Sequence, residues 1–249
     1  MILAVCLKRV PDTNARPTIG PDGKSINPQG IEFVINPYDE FAIEEALRLK
    51  EKAGAGEVVG VTVDPEGNES MLRKALAMGV DRGVLVKGGS TFDGAVNAEI
   101  LASVLKPLGA TIIFFGKQAV DSDSCQVPTM VAERLGLPRA NVVVKMELQG
   151  NKVTCRRQIE GAEEVVEMST PCVVSAQKGL NEPRYASLKG IMAAKKKPIE
   201  AKAPPAVEAR IEVLKMEAPP ARPSGRIVGK GKDAVPELVR LLREEAKVL

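Results

Sequence analysis

The chain of 249 residues contains no histidine and no tryptophan, and aromatic residues make up only 3% of it. The missing imidazole excludes Ser-His and Cys-His nucleophilic systems, zinc sites of the H-E-x-x-H type and the commonest general base near neutral pH. The four cysteines, Cys6, Cys125, Cys155 and Cys172, form no C-x-x-C pair. That spacing argues against a thiolate zinc cluster and for reduced thiols, so a cytoplasmic setting is expected. No apolar run approaches the roughly 18 residues of a membrane span. Met1–Cys6 has no basic stretch before its apolar residues and reads as a strand, not a signal peptide. Net charge is only +3. Bulk attraction to nucleic acid is therefore not expected, and any electrostatic role falls to a local cluster. A G-x-x-x-x-G-K-[ST] motif is also absent, so nucleotide hydrolysis is not the first expectation. "GAGEVVG" (Gly54–Gly60) approaches a dinucleotide fingerprint, but it precedes its strand and its third glycine is one place late.

What is present suits a large α/β core, since 44% of residues are hydrophobic. Short apolar runs at Ile2–Val10, Glu57–Val63, Gly83–Gly88 and Thr111–Gly116 read as buried strands. Helical patterns lie between them. Asn36 is placed to cap a helix that has Pro37 in its first turn, Asp39 and Glu40 near its positive end, and Gly54 as its stop. Further helices are expected over Glu69–Met78, over Ala95–Leu105 and through Met130–Leu135. This alternation predicts a doubly wound, mostly parallel sheet with right-handed crossovers. After Pro138 the pattern becomes short strands, Val142–Leu148, Lys152–Ile159, Glu164–Met168 and Cys172–Ala176, which predict an antiparallel extension. Residues 1–198 are thus expected as one α/β domain. Residues 199–249 are expected as a proline-rich arm followed by an amphipathic helix over Asp233–Val248.

In an open α/β sheet, ligands bind beyond the carboxyl ends of the strands. The segment there with the most unusual chemistry is "GKQAVDSDSCQV", Gly116–Val127. Gly116 permits close backbone approach, while Ser122, Ser124 and free amides at a helix start suit a phosphate. Asp121 and Asp123 fit either of two roles, capping the following helix or accepting bonds from ribose or adenine. A second segment, "LNEPRYASLKGIMAAKKKPIE" (Leu180–Glu200), sets Leu188 on a polar loop close to Lys195, Lys196 and Lys197. It reads either as a solvated basic face or as an interaction loop with one apolar anchor.

That second segment resembles the L-N-x-P-R-Y-x-x-L-x-x-I-x-x-A-K-x-K stretch of electron-transfer flavoprotein β subunits. "NPYDEFAIEEALRLKEK", "ALAMGVDRG", "GKQAVDSDSCQ" and "CRRQIEGAEEVVEMSTPCVVSA" are similar to the family's other motifs, and they occur in the family's order. The resemblance implies a heterodimer. Its β subunit holds AMP as a structural ligand, and its α subunit holds most of the FAD. Electrons arrive from acyl-CoA dehydrogenases and similar flavoenzymes and leave to a membrane quinone oxidoreductase. On this resemblance the chain is an electron carrier and not an enzyme. The family's AMP contacts fall on Cys6, Asn36, Pro37, Tyr38, Asp39, Val63, and on Gly116, Lys117, Gln118, Ala119, Val120, Asp121, Ser122, Asp123, Ser124, Cys125, Gln126 and Val127. Many members carry D-D-D-x-N-Q in that loop. Cys125 here takes the place of the asparagine, which removes a side-chain amide and leaves the backbone contacts.

The same resemblance makes Leu188 the anchor that docks on partner dehydrogenases, with Tyr185, Ile191, Met192, Lys195, Lys196 and Lys197 around it. The terminal arm and helix are expected to pack on the α subunit. Two other readings stand beside this one. An electron-bifurcating relative would hold a second FAD in place of AMP, but its D-G-D-T-A-Q-V-G loop has glycines where Ser122 and Pro128 stand here. An adenine-nucleotide hydrolase or ligase of similar fold would need a Ser-Gly-rich loop where this chain has "KRVPDTN".

Overall fold

The computed structural model describes residues 1–89, 92–221 and 224–249. Strand β1 (Ile2–Leu7) sends alternate side chains into two cores, Leu3, Val5 and Leu7 into one and Ala4 and Cys6 into the other. A strand covered on both faces requires that pattern. The run expected as one strand over residues 2–10 breaks at Lys8, whose N–H donates to Asp39 Oδ2 at 2.8 Å. The chain resumes as β2 (Arg9–Pro11). It forms a small ladder from β3 (Thr18–Ile19) and β4 (Ile26–Asn27), then returns as β5 (Phe33–Ile35) antiparallel to β2.

Helix α1 (Pro37–Ala53) starts at its proline and ends where Gly54 turns left-handed, with φ 68°. Asn36 does not cap it with its side chain, because that amide is engaged elsewhere. The helix is buried on more than one side, Glu44 and Glu45 included. Both carboxylates have partners. Arg184 Nε donates to Glu44 at 2.7 Å, and Asn181 Nδ2 donates to Glu45 at 2.9 Å.

Next come β6 (Glu57–Asp64), α2 (Ser70–Met78), β7 (Arg82–Lys87), α3 (Gly94–Leu108), β8 (Ile112–Gly116) and α4 (Val127–Leu135). Then β9 (Arg139–Gln149), β10 (Lys152–Ile159) and β11 (Ala162–Ser169) run as a meander, and β12 (Cys172–Ala176) returns to the middle of the sheet. A short helix α5 (Leu188–Ala194) and strand β13 (Ile199–Lys202) follow.

Among the described residues, nine strands form one sheet in the order β11-β10-β9-β12-β8-β1-β6-β7-β13. Only the β9–β10 and β10–β11 pairings in it are antiparallel. This is the expected doubly wound sheet with an antiparallel extension. Helices α1, α2 and α5 pack on one face, α3 and α4 on the other. The order reverses at β1, which has β6 on one side and β8 on the other, so the ends of β1, β6 and β8 frame a crevice.

Residues 199–202, expected to begin the arm, instead add β13 in parallel to β7. The chain divides into two compact units, Met1–Lys215 and Met216–Leu249. The second contains α6 (Val235–Glu244), preceded by a single 3-10 turn over Lys232–Ala234. No helix of the described residues is long and apolar enough to cross a membrane.

Candidate functional site

Strand β8 ends at Gly116, where a Cβ would overlap Asp39 Oδ1 and come within 2.6 Å of Tyr38 Cβ. Only glycine fits there. The Asp39 carboxylate behind it is buried and takes three N–H donors, Lys8 N at 2.8 Å, Asn36 Nδ2 at 2.9 Å and Gly116 N at 3.0 Å. Burial pushes this carboxyl up to about 7, against the pull of those donors and of the Lys8 charge. The neighbouring Cys6 thiol is held well above its usual value by burial and by Asp39, so it is not a nucleophile.

Asn36 carries the constraint outward. Its Nδ2 also donates to Gln118 O at 2.8 Å, and its Oδ1 accepts from Val120 N at 3.1 Å. This is the work that keeps its side chain from capping α1. Beyond Val120 the loop tightens on itself, because Ser122 N and Asp123 N both donate to Ala119 O. Asp121 pairs with Lys8 Nζ at 2.8 Å, Asp123 accepts from Gln118 Nε2 at 2.6 Å, and Lys117 lies over the Tyr38 ring, 5.0 Å from its centroid. Neither aspartate caps α4, whose preceding residue is Gln126.

The backbone then turns left-handed at two non-glycine positions, Asp123 (φ 49°) and Cys125 (φ 53°). Gln126 is right-handed. A left-handed residue followed by a right-handed one turns successive N–H groups to one side, a form that accepts anions. Among the described residues, the amides of Ser124, Cys125 and Gln126 meet no acceptor within the chain. Such strain at non-glycine residues gathers at functional sites.

These parts surround a cavity of about 490 Å³. The residues expected at a nucleotide site line it, except Pro37, Tyr38, Val120 and Asp123, which fall outside its lining. The cavity also brings in Lys8, Arg9, Asp64, Glu66 and Asn97, none of them among the expected contacts. Arg9 bridges two of these, with Nε on Asp64 at 2.8 Å and Nη2 on Glu66 at 2.5 Å, and its guanidinium stacks 4.4 Å from the Phe33 centroid. Adjacent residues of the chain after β1 thus strap both walls, Lys8 to the β8 loop and Arg9 to the β6 loop. The switch-point rule applied to every strand end, rather than to β8 mainly, would have found them.

The Leu188 segment is a different kind of surface. Leu188 begins α5 and is 84% exposed, with Tyr185 at 97% and Met192 at 72%. Ile191 is exposed too. The expected loop is a helical turn because Ser187 caps it, its Oγ accepting from Gly190 N at 3.0 Å. Gly190 is pressed so closely to Ala77 O that a Cβ would overlap it. Arg73 Nη1 donates to Ala194 O at 2.9 Å and to Lys197 O at 2.8 Å. Lys195 and Lys196 are exposed. Lys197 is not part of that solvated pair, since its Nζ donates to Leu76 O at 3.0 Å and Val80 O at 2.6 Å. Burial lowers its pKa.

Known proteins carry the same arrangement of sequence. The family model described as "Electron transfer flavoprotein domain" matches residues 24–207. An "Electron transfer flavoprotein subunit beta" of Syntrophomonas wolfei is 46% identical over 221 residues, covering 89% of this chain and 87% of its own. Proteins of the same name from Bradyrhizobium diazoefficiens and Bacillus subtilis are 42% and 40% identical, each over the whole of both chains. By both the family match and the full-length identity, this chain belongs to the electron-transfer flavoprotein β-subunit family.

Proposed function

We propose that this chain is the AMP-holding half of a heterodimeric electron carrier. It binds AMP structurally in the cavity at the ends of β1, β6 and β8, and it supports an FAD held mainly by an α subunit. It docks acyl-CoA dehydrogenases and similar flavoenzymes through Leu188, for onward transfer to a quinone oxidoreductase. The observation that carries the nucleotide part is the set of acceptor-free amides at Ser124, Cys125 and Gln126, set in a cavity of about 490 Å³. Ligand pockets run from about 300 to 1,000 Å³ and fix polar groups with a few placed donors. A phosphate suits those amides and the start of α4 behind them. Ser122 and Pro128, both on the lining, occupy space that glycines would leave open to a larger dinucleotide. FAD supplies the electron-carrying ring system, and this chain's part is to bind, orient and present.

Purify the heterodimer, denature it, and count nucleotides in the supernatant. One AMP and one FAD per heterodimer is expected. Two FAD and no AMP would overturn the assignment.

The second compact unit suits contact with the α subunit. Helix α6 buries none of its residues, and Val235 and Leu238 on its apolar side are exposed. Truncation from Ala218 onward is expected to weaken the heterodimer and release flavin. Unchanged assembly and flavin retention would show that this unit is dispensable.

A further inference from the structure

Asp39 does more than line a wall. Each hydrogen bond to its carboxylate comes from an N–H, and the three donors belong to different parts of the fold. Lys8 N comes from the end of β1, Gly116 N from the end of β8, and Asn36 Nδ2 from the residue before α1. Asn36, fixed in this way, holds Gln118 O and Val120 N. The first turn of the loop that ends in the free amides therefore hangs on this carboxylate at one remove. Gly116 lies against Oδ1 with no room for even a methyl group, so the contact has no slack.

We propose that Asp39 is an acid-released latch on the nucleotide cavity, a positioning residue that sets the loop when ionised and frees it when protonated. A carboxylate offers acceptors only, whereas a carboxyl group carries an O–H donor. Protonation at Oδ2, which accepts a single N–H, sets an O–H donor beside Lys8 N and removes the negative charge that strengthens all three bonds, so the ring is weakened. The consequence for the ligand rests on the AMP reading above; the latch itself does not. The charged and titratable neighbours are Cys6 and Lys8 on the β1 side, Tyr38 and Glu40 on α1, and Lys117 and Asp121 on the loop. Cys6 stays a neutral thiol because burial and Asp39 raise it, and burial raises Glu40 as well. Lys8 is shared with Asp121 at 2.8 Å, so its charge does not act on Asp39 alone. The buried carboxyl is pushed up to about 7, which puts the change near neutral pH. Above that pH the latch is ionised and closed; below it the latch is protonated and open.

The test follows AMP release from the intact heterodimer at pH 8 and pH 6. For a group titrating near 7 the protonated fraction rises about tenfold across that interval, and release through the open state is expected to rise by about the same factor. Asp39→Asn is expected to release AMP fast at both values, with no pH dependence. Hydrogen exchange at the Lys8 and Gly116 amides, corrected for intrinsic rate, reads the latch without any ligand. Protection is expected to fall from pH 8 to pH 6 in the natural protein and to stay flat in Asp39→Asn. Asn36→Ala separates latch from loop: AMP leaves fast at pH 8, yet the two amides keep their pH-dependent protection. Release and protection that are both independent of pH in the natural protein would overturn the latch. So would an Asp39→Asn variant with the natural pH profile. Should the purified heterodimer contain no AMP, the functional reading fails, and amide protection alone still decides the latch.

Discussion

The cavity at the ends of β1, β6 and β8 and the surface of α5 are built by the same means and present opposite chemistry. Each is a short segment after a strand, tied to the body by polar side chains that are buried at the cavity and half-buried at α5. In the cavity, Asn36 and Asp39 hold the loop by its first residues and leave the later amides of Ser124, Cys125 and Gln126 without acceptors. At α5, Arg73 and Lys197 take up backbone carbonyls at Ala194, Lys197, Leu76 and Val80. What remains there is apolar: Leu188, Met192 and Tyr185 stand in solvent. The polar groups spent inside thus decide what is offered outside. Spare donors suit an anion. A spare leucine on a fixed turn suits a protein pocket, because little ordering remains to be done on binding.

The comparison breaks most visibly if the cavity's anchor is removed. Gly116→Ala places a methyl group on Asp39 Oδ1 and against Tyr38 backbone and Cβ. Backbone cannot swing aside as a flexible side chain does. Overpacking of this kind costs roughly 1–3 kcal/mol, and here it also spreads the three donors of the latch. Nucleotide content and the thermal melt are both expected to fall, while Leu188 exposure is untouched. A Gly116→Ala heterodimer with full nucleotide content would show that the loop does not depend on this contact.

Leu188→Ala tests the other region. Because the side chain is 84% exposed, its loss is expected to shift stability by less than about 0.5 kcal/mol. A leucine buried in a partner's pocket is worth roughly 1.5–3 kcal/mol. Docking to an acyl-CoA dehydrogenase is therefore expected to weaken by roughly ten- to a hundredfold, with nucleotide and flavin retained. Steady-state transfer and thermal melts on the same preparation check this. A variant that melts early but transfers normally per folded molecule would remove Leu188 from the docking surface.

The two regions also differ in how far the sequence shows them. The alternation of apolar runs and helical patterns suffices for the sheet, because Leu3, Val5, Ile112 and Phe114 are buried whatever the loops do. Gly116 and the loop after it are legible as a strand-end site for the same reason. The orientation of single polar groups is not. Asn36 has the position of a helix cap and Asp39 that of a first-turn acid, yet both turn to the β8 loop, residues 80 or so away in sequence, a partnership that no local pattern encodes. Lys197 reads as the third of three solvated lysines until α2 is placed beside it. Strand β13 is hidden for a similar reason, since "IEAK" is too short to signal a strand without the waiting edge of β7. The helical turn at 188–194 has a local signal in its Ser187 cap, but its seat on α2 needs Gly190 to fit under Ala77 O, again a tertiary fact.

Lys197→Met sharpens the contrast within the α5 surface. It keeps most of the stem but leaves Leu76 O and Val80 O without their donor. Loss of a buried partner costs roughly 1–3 kcal/mol, and less where water reaches the carbonyls. The half-buried position of this lysine puts the expected loss near the lower end. Thermal melts are expected to drop modestly and docking to suffer only as far as α5 shifts. An unchanged melt would mean that the two carbonyl bonds add nothing in water.

The smallest effect is expected from Lys195→Gln with Lys196→Gln, and its form matters more than its size. Both side chains are exposed, so neither holds the turn and the melt should not move. Two fewer positive charges beside the proposed docking leucine reduce long-range attraction to an acidic partner surface. That attraction acts on the rate of encounter more than on the life of the complex. It is screened over about 8 Å at 0.15 M ionic strength and reaches about 30 Å at 0.01 M. Association with a dehydrogenase is therefore expected to slow a few-fold at low salt and to converge on the natural protein as salt is raised, with dissociation unchanged. Stopped-flow association across a salt series checks this against Leu188→Ala, which should speed dissociation at every salt concentration. If the double lysine variant instead dissociated faster and kept that defect in high salt, the two lysines would be direct contacts, and the division between one apolar anchor and a steering charge would fail.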